Sequence, residues 1–399
     1  MNKYLFGLCF LLSCFICKDS YACTVFTKAN KKVTLVGSNE DFKPSNSQVF
    51  IIPAKQGRYG HALFGYNGSV QSGINEKGLF WDGLRAYPYV ANENITGKLD
   101  IGGNVLYKIL EECATVNEVI HVFEKYHWEG FSISQLMVVD AEGESAIITH
   151  DKKGLVISRK EKNYQVCSNF RIESANVEKK PAWYNIGSGR YNKASKLCNN
   201  LDVSVNNFMS VLKETHQNNL FSKTIYSTVC NLNTGDIHIC INGNFSQLVK
   251  INLYEELKKD QHSYYLSDLL STEKNEWKDI KYCDEDFLTT NSTLLFFDKN
   301  WQVTSKSRKA RFYRKTIQDS VTGDYIMRDY FMNDTLQGES HCSNLNPEVL
   351  DGKYSEYHEN GRIKISGYFK HRLREGEWNY WSNTGIKEKT IYYTNGVKK

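Results

Sequence analysis

The order of strand-like and helix-like stretches between residues 24 and 252 is the feature that most limits the fold. Thr24 to Thr27 and Lys32 to Gly37 read as strands joined by a short turn around Asn30, and Val49 to Pro53 as a third. Ser72 to Gly83 is a glycine-bearing turn feeding a hydrophobic strand. Val105, Leu106, Ile109, Leu110 and Cys113 then recur at helical spacing. Thr115-Val116-Asn117-Glu118 is a capping box for a second helix, with Val119, Ile120 and Phe123 inward. Ser134–Asp140, Ser145–His150, Gly154–Arg159 and Tyr164–Ser168 are short strands, the last delivering Asn169. Arg190–Asn199 and Val205–Thr215 read as helices, and Thr224–Leu232 with Ile237–Ile241 as a hairpin around Asn233-Thr234-Gly235-Asp236. Two stacked sheets with helices on their outer faces satisfy this order economically.

Residues 1–22 have the form of a secretory leader. Lys3 gives a basic start, Tyr4 to Cys17 an apolar run too short for a membrane span, and Ser20-Tyr21-Ala22 a small-residue exit. The expected product is an exported chain, periplasmic or extracellular, that begins at Cys23 and has no later membrane span. Leu11-Leu12-Ser13-Cys14 offers a lipid-attachment alternative, which would leave Cys23 internal. The formal net charge of +5, with no dense basic stripe, argues against a nucleic-acid partner. Eight of the 11 cysteines follow the leader, without metal-ligand spacing. Cys230 and Cys240 flank the expected hairpin and could face one another across it.

The character changes after about residue 255. Residues 255–291 are polar and charged, a connector of helical or irregular type. Beyond it the chain repeats itself. Asp329–Gly338 matches Gly367–Gly376, Ile391–Gly396 starts a truncated third copy, and Tyr354–Gly361 matches Trp378–Gly385. Aromatic strand, Asn-Gly-type turn and aromatic strand make a hairpin unit repeated along one axis. Residues 292–399 resemble MORN-type repeats, well over the last two units and loosely before them, which implies a surface for a protein or other partner.

The chemistry-bearing signals are few. No Gly-x-Ser-x-Gly elbow, zinc helix or phosphate-binding glycine loop is present, and no histidine stands in readable spacing to a cysteine. A cysteine enzyme of this kind needs another base. Leader removal would place a thiol and a free α-amine on Cys23 itself, and such an amine titrates near pH 8.

Five pieces in this order are similar to the choloylglycine hydrolase and linear-amide C–N hydrolase group of N-terminal-nucleophile hydrolases, whose members include bile salt hydrolase, penicillin V acylase and acid ceramidase. They are Cys23-Thr24, Gly37-Ser38-Asn39-Glu40-Asp41, Gly73-Ile74-Asn75-Glu76-Lys77-Gly78-Leu79, Asn169 and Arg190. The resemblance covers residues 23 to about 252. It implies an α+β fold, a four-layer αββα sandwich over 23–254, followed here by the antiparallel β-hairpin repeat module. It implies a cysteine amidase that cleaves an N-acyl amide through an acyl-enzyme, with no cofactor and no metal. Cys23 would attack, Asp41 would orient its amine, Asn169 would donate to the oxyanion, and Arg190 would tune the charge of Cys23 and Asp41. A backbone N–H around Arg85 would be the second oxyanion donor. The chain departs from the pattern at Ser38, where many relatives carry arginine, and at Arg85, where many carry Asn or Tyr; Arg85 is then a candidate for the displaced cation. An acyltransferase would use the same acyl-enzyme. A secreted or lipid-anchored binding protein with an inert front domain is the competing reading.

Overall fold

The computed structural model describes residues 23–42, 47–55, 57–66, 69–87, 89, 97–101, 104–171, 187–218, 222–270, 292–299, 301, 310–318, 324–345 and 348–399. The expected leader, residues 1–22, and most of the expected connector lie outside the described residues.

The chain opens with β1 (Thr24–Ala29) and β2 (Thr34–Phe42), then β3 (Ser47–Ile52), β4 (His61–Tyr66), β5 (Ser69–Asn75), β6 (Phe80–Arg85) and the two-residue β7 (Leu99–Asp100). Helices α1 (Asn104–Glu112) and α2 (Val116–Lys125) follow, then β8 (Tyr126–His127), β9 (Ser134–Val139), β10 (Ser145–Asp151), β11 (Gly154–Arg159) and β12 (Tyr164–Cys167). After α3 (Ser188–Asn199) and α4 (Val205–Thr215) come β13 (Lys223–Asn231), β14 (Asp236–Ile241), β15 (Leu248–Asn252), the single turn α5 (Leu253–Glu256) and β16 (His262–Tyr265).

Short polar side chains set the turns. Asn30 Oδ1 accepts from the backbone N–H of Lys32 (2.8 Å) and Val33 (3.0 Å), which closes the β1–β2 hairpin. Thr115 and Glu118 cap α2 reciprocally, as the sequence pattern requires. Asp140 Oδ2 adds a bond from Val116 N–H at 3.0 Å, tying the start of that helix to the end of β9.

Two antiparallel sheets result. One has the order β12-β1-β2-β13-β14-β15, the other β11-β10-β9-β6-β5-β4-β3-β16. Period-2 alternation gives each sheet two buried faces. Val25, Val36, Ile74, Phe80, Ile147 and Ile237 pack between the sheets. Trp81, Leu136 and Val138 point the other way, onto Val105, Ile109 and Phe123 of α1 and α2. Phe26, Leu35 and Val229 meet Ala194, Phe208 and Leu212 of α3 and α4. The layers therefore run helix, sheet, sheet, helix. The last strand of the eight-stranded sheet, His262–Tyr265, comes from the stretch expected to be connector; Tyr264 and Leu266 complete the inter-sheet core.

Cys230 and Cys240 do not face one another, contrary to the expectation from the hairpin. Cys230 pairs in register with Ile237 and Cys240 with Ser227. Cys230 points into the inter-sheet core and Cys240 onto the helix layer, and both are free thiols. Residues on opposite faces of a pleated sheet cannot form a disulfide.

Among the described residues from 292 onward, nine strands form a separate sheet in which every strand pairs with the next. Its strands are β17 (Ser292–Phe297), β18 (Phe312–Gln318), β19 (Tyr325–Phe331), β20 (Leu336–Leu345), β21 (Glu348–Tyr357), β22 (Ile363–Lys370), β23 (Leu373–Trp381), β24 (Lys387–Thr394) and β25 (Val397–Lys398). Trp378 is fully buried, with the rings of Phe369, Tyr354 and Tyr393 at 4.9, 5.6 and 6.2 Å. Gly367 lies against that indole: an added Cβ would come within 2.3 Å of it. The earlier copy has Asp329 at the equivalent place, held by Arg314 through Nε (2.7 Å) and Nη2 (2.9 Å).

The β22–β23 turn docks this sheet on the front domain. His371 and Arg372 both adopt positive φ, 49° and 68°, a conformation that hairpin turns ordinarily give to Asn or Gly. Arg372 Nη1 donates to Glu111 Oε1 at 2.8 Å, and its guanidinium lies 4.1 Å from the Tyr107 ring centroid. Arg58 Nη1 reaches the other oxygen of Glu111 at 2.7 Å. Removing one partner from a buried pair leaves the other charge uncompensated. Glu111→Gln should therefore lower stability at neutral pH by about 3 kcal/mol. Thermal unfolding measures this, and in a double-mutant cycle Arg372→Leu should recover part of the loss.

Candidate active site

Strand register, rather than any one motif, assembles the site. β1 pairs with β12 so that Val25 faces Cys167, and with β2 so that Thr24 faces Asn39. Continued one step past the β1–β2 pairing and two steps past the β1–β12 pairing, these registers put Glu40 on one side of Cys23 and Asn169 on the other. Glu40 in turn faces Tyr226 of β13. Asn169, Cys23, Glu40 and Tyr226 thus form a row across one end of the six-stranded sheet.

The row is buried. Cys23 is 6% exposed and Asn169, Glu40 and Tyr226 are 0%. Cys23 Sγ lies 3.1 Å from Glu40 Oε2 and accepts a hydrogen bond from the backbone N–H of Asp41. Burial pushes the thiol well above its usual range, and the negative charges of Glu40, Asp41 and Asp82 push it further. A neutral thiol surrounded by carboxyl groups needs a base before it can attack.

The segment that carries Asn169 is clamped from below. Gln135 Nε2 donates to the carbonyls of Ser168 (2.5 Å) and Phe170 (2.9 Å). The buried Arg171 donates to the carbonyls of His150 (2.9 Å) and Phe131 (2.7 Å) and to Thr149 Oγ1. Asn169 Nδ2 donates to Arg85 O at 3.0 Å, and its Oδ1 accepts from Arg190 Nη2 at 2.9 Å. Those two bonds fix the orientation of the amide and leave its second N–H for another acceptor.

Arg190 stands in the first turn of α3. It also donates from Nε to Thr24 Oγ1 at 3.0 Å, and its charge acts on Asp41 and Cys23. Gly187, just before this helix, has φ +85°; an added Cβ would come within 2.9 Å of Asn169 N and 3.1 Å of Arg190 Nη2. Asp41 accepts from Gln217 Nε2 at 2.6 Å and from Thr224 Oγ1. Burial raises Asp41 to about 6, although Arg190 and these hydrogen bonds favour its charged form. The structure thus brings Cys23, Asp41, Asn169 and Arg190 together, with Asn169 bonded to both Arg190 and Arg85.

Arg85, the candidate for the displaced cation, lies next to Asn169, whose Nδ2 donates to its carbonyl. Its guanidinium reaches Tyr89 Oη at 3.3 Å, and Tyr89 Oη donates to Tyr87 Oη at 3.0 Å. Arg190 interacts electrostatically with both Asp41 and Cys23. The N–H groups that follow Arg85 are engaged as well: Ala86 donates to Ile133 O (2.9 Å) and Tyr87 to Asn169 O (3.2 Å).

Sequence reading gave no role to Glu40, Asp82 or Tyr226 and marked Ser38 only as a departure from the family pattern. Ser38 Oγ donates to Asp82 Oδ2 at 2.6 Å and lies 3.2 Å from Glu40 Oε1. The two carboxyl groups are also hydrogen-bonded to each other, and both are fully buried. Burial raises Asp82 to about 6, and burial plus the charge of Asp82 pushes Glu40 well above the usual carboxylate range. A signal for them existed. Val36, Ser38 and Glu40 share one face of β2, and Phe80, Asp82 and Leu84 share one face of β6. Acids at the apolar period of two strands are the anomaly that marks a site.

Among known structures, a variant of the conjugated bile acid hydrolase of Clostridium perfringens overlays on this chain with TM-score 0.50 and 18% identity. The match covers 63% of this chain and 100% of that one. The penicillin V acylase of Agrobacterium tumefaciens matches with TM-score 0.48 and 18% identity, over 60% of this chain and 89% of that one. No curated protein sequence gives a significant match. The family model described as acyl-coenzyme A:6-aminopenicillanic acid acyl-transferase matches residues 27–245, more than half of the chain. With a sandwich of the bile acid hydrolase type and a family match across both sheets, this chain belongs to the acyl-coenzyme A:6-aminopenicillanic acid acyltransferase family.

Proposed function

We propose that this chain is an exported cysteine amidase that cleaves a linear N-acyl amide through an acyl-enzyme on Cys23. The observation that carries the reading is the placement of Cys23 Sγ in one row with Asn169, whose amide is pinned by Arg190 and Arg85 with one N–H to spare. Cleavage between Ala22 and Cys23 frees an α-amine beside the thiol. That amine takes the thiol proton as sulfur attacks the amide carbonyl. Asn169 Nδ2 donates to the oxygen on which charge develops. Arg190 offsets the negative charge around the sulfur, and Asp41, ionised, orients the α-amine. Collapse expels the amine, and water releases the acid.

The exposed Tyr89 and its neighbours Arg85 and Tyr87 stand beside Asn169, where they would contact the substrate. The family description favours a second reading, in which an amine rather than water takes the acyl group. The nine-stranded sheet is a MORN-type module that supplies a surface for a partner; its exposed Tyr368, Tyr392 and Ile386 support this.

Mass spectrometry of exported protein should find a chain starting at Cys23; a lipidated Cys14 start would overturn the mechanism. Against a panel of N-acyl amides, Cys23→Ala should abolish cleavage and Asn169→Ala should lower kcat by about 100- to 1000-fold. Equal cleavage by wild type and Cys23→Ala would remove Cys23 as the nucleophile. An added amine that captures the acyl group in place of water would favour the transferase. Asp41 is charged only above about pH 6, so kcat/KM should fall as pH drops through that value, and Asp41→Asn should abolish this acid limb. Arg85→Ala should change preference within the panel, read as a shift in relative kcat/KM values.

A further inference from the structure

The sheet register sets a carboxyl group beside the nucleophile on the face between the two sheets. The sulfur already accepts from Asp41 N–H, so its own hydrogen is available to donate, and Glu40 Oε2 lies 3.1 Å away to receive it. Behind Glu40 stands Asp82, hydrogen-bonded to it, with Ser38 Oγ touching both. Two carboxyl groups in such contact, both cut off from water, do not ionise together; the pair holds one proton and one negative charge.

Resting on the reading of Cys23 as a nucleophile, we propose that Glu40, backed by Asp82, is a catalytic proton acceptor for the Cys23 thiol that works without the α-amine. As the S–C bond forms, the thiol proton passes to Glu40 Oε2, the proton Glu40 already holds moves across its hydrogen bond to Asp82, and the carbonyl electron pair moves onto oxygen. Collapse breaks the C–N bond, and the leaving nitrogen takes that proton. In the second half, water gives a proton to Glu40 as it adds to the thioester, and the sulfur recovers it when the C–S bond breaks. The buried region carries one negative charge at each stage, first on the carboxyl pair and then on sulfur and substrate. No additional charge is created out of contact with water, which is where this route gains over direct ionisation of the thiol.

The groups that face Glu40 are Cys23 at the start of β1, Ser38 and Asp41 on its own strand, Asp82 of β6 and Tyr226 of β13. Tyr66 of β4 acts on Tyr226, and Arg190 of α3 on Asp41 and Cys23. Tyr226 Oη and Asp82 Oδ1 are buried with no hydrogen-bond partner, so the pair is bounded by unused polar atoms.

Alkylation of Cys23 by iodoacetamide tests the proposal without a substrate. In the full chain, where the Cys23 nitrogen is still in a peptide bond, the rate at this residue is followed by peptide mass spectrometry against pH. Wild type should show a near-level rate around neutral pH, falling only in acid. Glu40→Gln should be slower at pH 7 by about 100-fold and recover only as the thiol itself ionises. Alkylation of Glu40→Gln at the wild-type rate or faster would overturn the proposal, since Glu40 would then only repel the thiolate. Asp82→Asn keeps the acceptor but removes the like charge beside it, so the acid limb should move to lower pH; an unmoved limb would overturn the shared-proton pair. Amide cleavage is scored separately. Glu40-dependent alkylation in a chain that cleaves no N-acyl amide removes the proposed function and supports this inference; cleavage with Glu40-independent alkylation does the reverse.

Discussion

A row of polar side chains placed out of reach of water is the constraint on which the rest of the site depends. Cys23, Glu40 and Tyr226 occupy the face of the six-stranded sheet that elsewhere carries Val25, Val36 and Ile237. Burying acids on an apolar face is costly unless they are hydrogen-bonded and share protons. Ser38 and Asp82 meet that requirement from the same strand and from the opposite sheet. The price is a thiol held neutral beside hydrogen-bonded carboxyl groups.

The surrounding architecture holds this arrangement still. Gln135 fixes the segment that carries Asn169 by binding the carbonyl oxygens of Ser168 and Phe170, and Arg171 ties the end of that segment to the carbonyls of His150 and Phe131. Arg190 spans from the start of α3 to both Thr24 and Asn169, so one guanidinium links the helix layer to two strands. The C-terminal sheet is joined by another arginine. Arg372 projects from a turn with two non-glycine residues at positive φ, and its ion pair with Glu111 and stacking on Tyr107 offset the strain.

Much of the site was legible in outline. Cys23, Asp41, Asn169 and Arg190 were identified from short motifs in a fixed order, and the structure gathers them. The carboxyl pair was harder to see because Glu40 sits inside a run quoted for its neighbours, and Asp82 follows a tryptophan in an ordinary-looking strand. Their importance depends on facing each other across two sheets, a relation between residues 42 positions apart in sequence. The contacts of Arg85 were equally out of reach of the sequence: its side chain runs to Tyr89 while its carbonyl accepts from Asn169, and both depend on the fold.

Local chemistry alone determined the strand and helix order, the capping box of α2, the turns at Asn30 and Asn233, and the repeated hairpins near the C-terminus. Each depends on neighbours within a few residues, which is the range over which periodicity and turn propensity act. The tertiary structure decided what register and burial decide. It set Glu40 beside the thiol, sent Cys230 and Cys240 to opposite faces, and took Tyr264 from an apparent connector into the core. Pairing partners tens or hundreds of residues apart are selected by the whole packing arrangement, and a shift of one residue would have turned every one of those side chains to the other face.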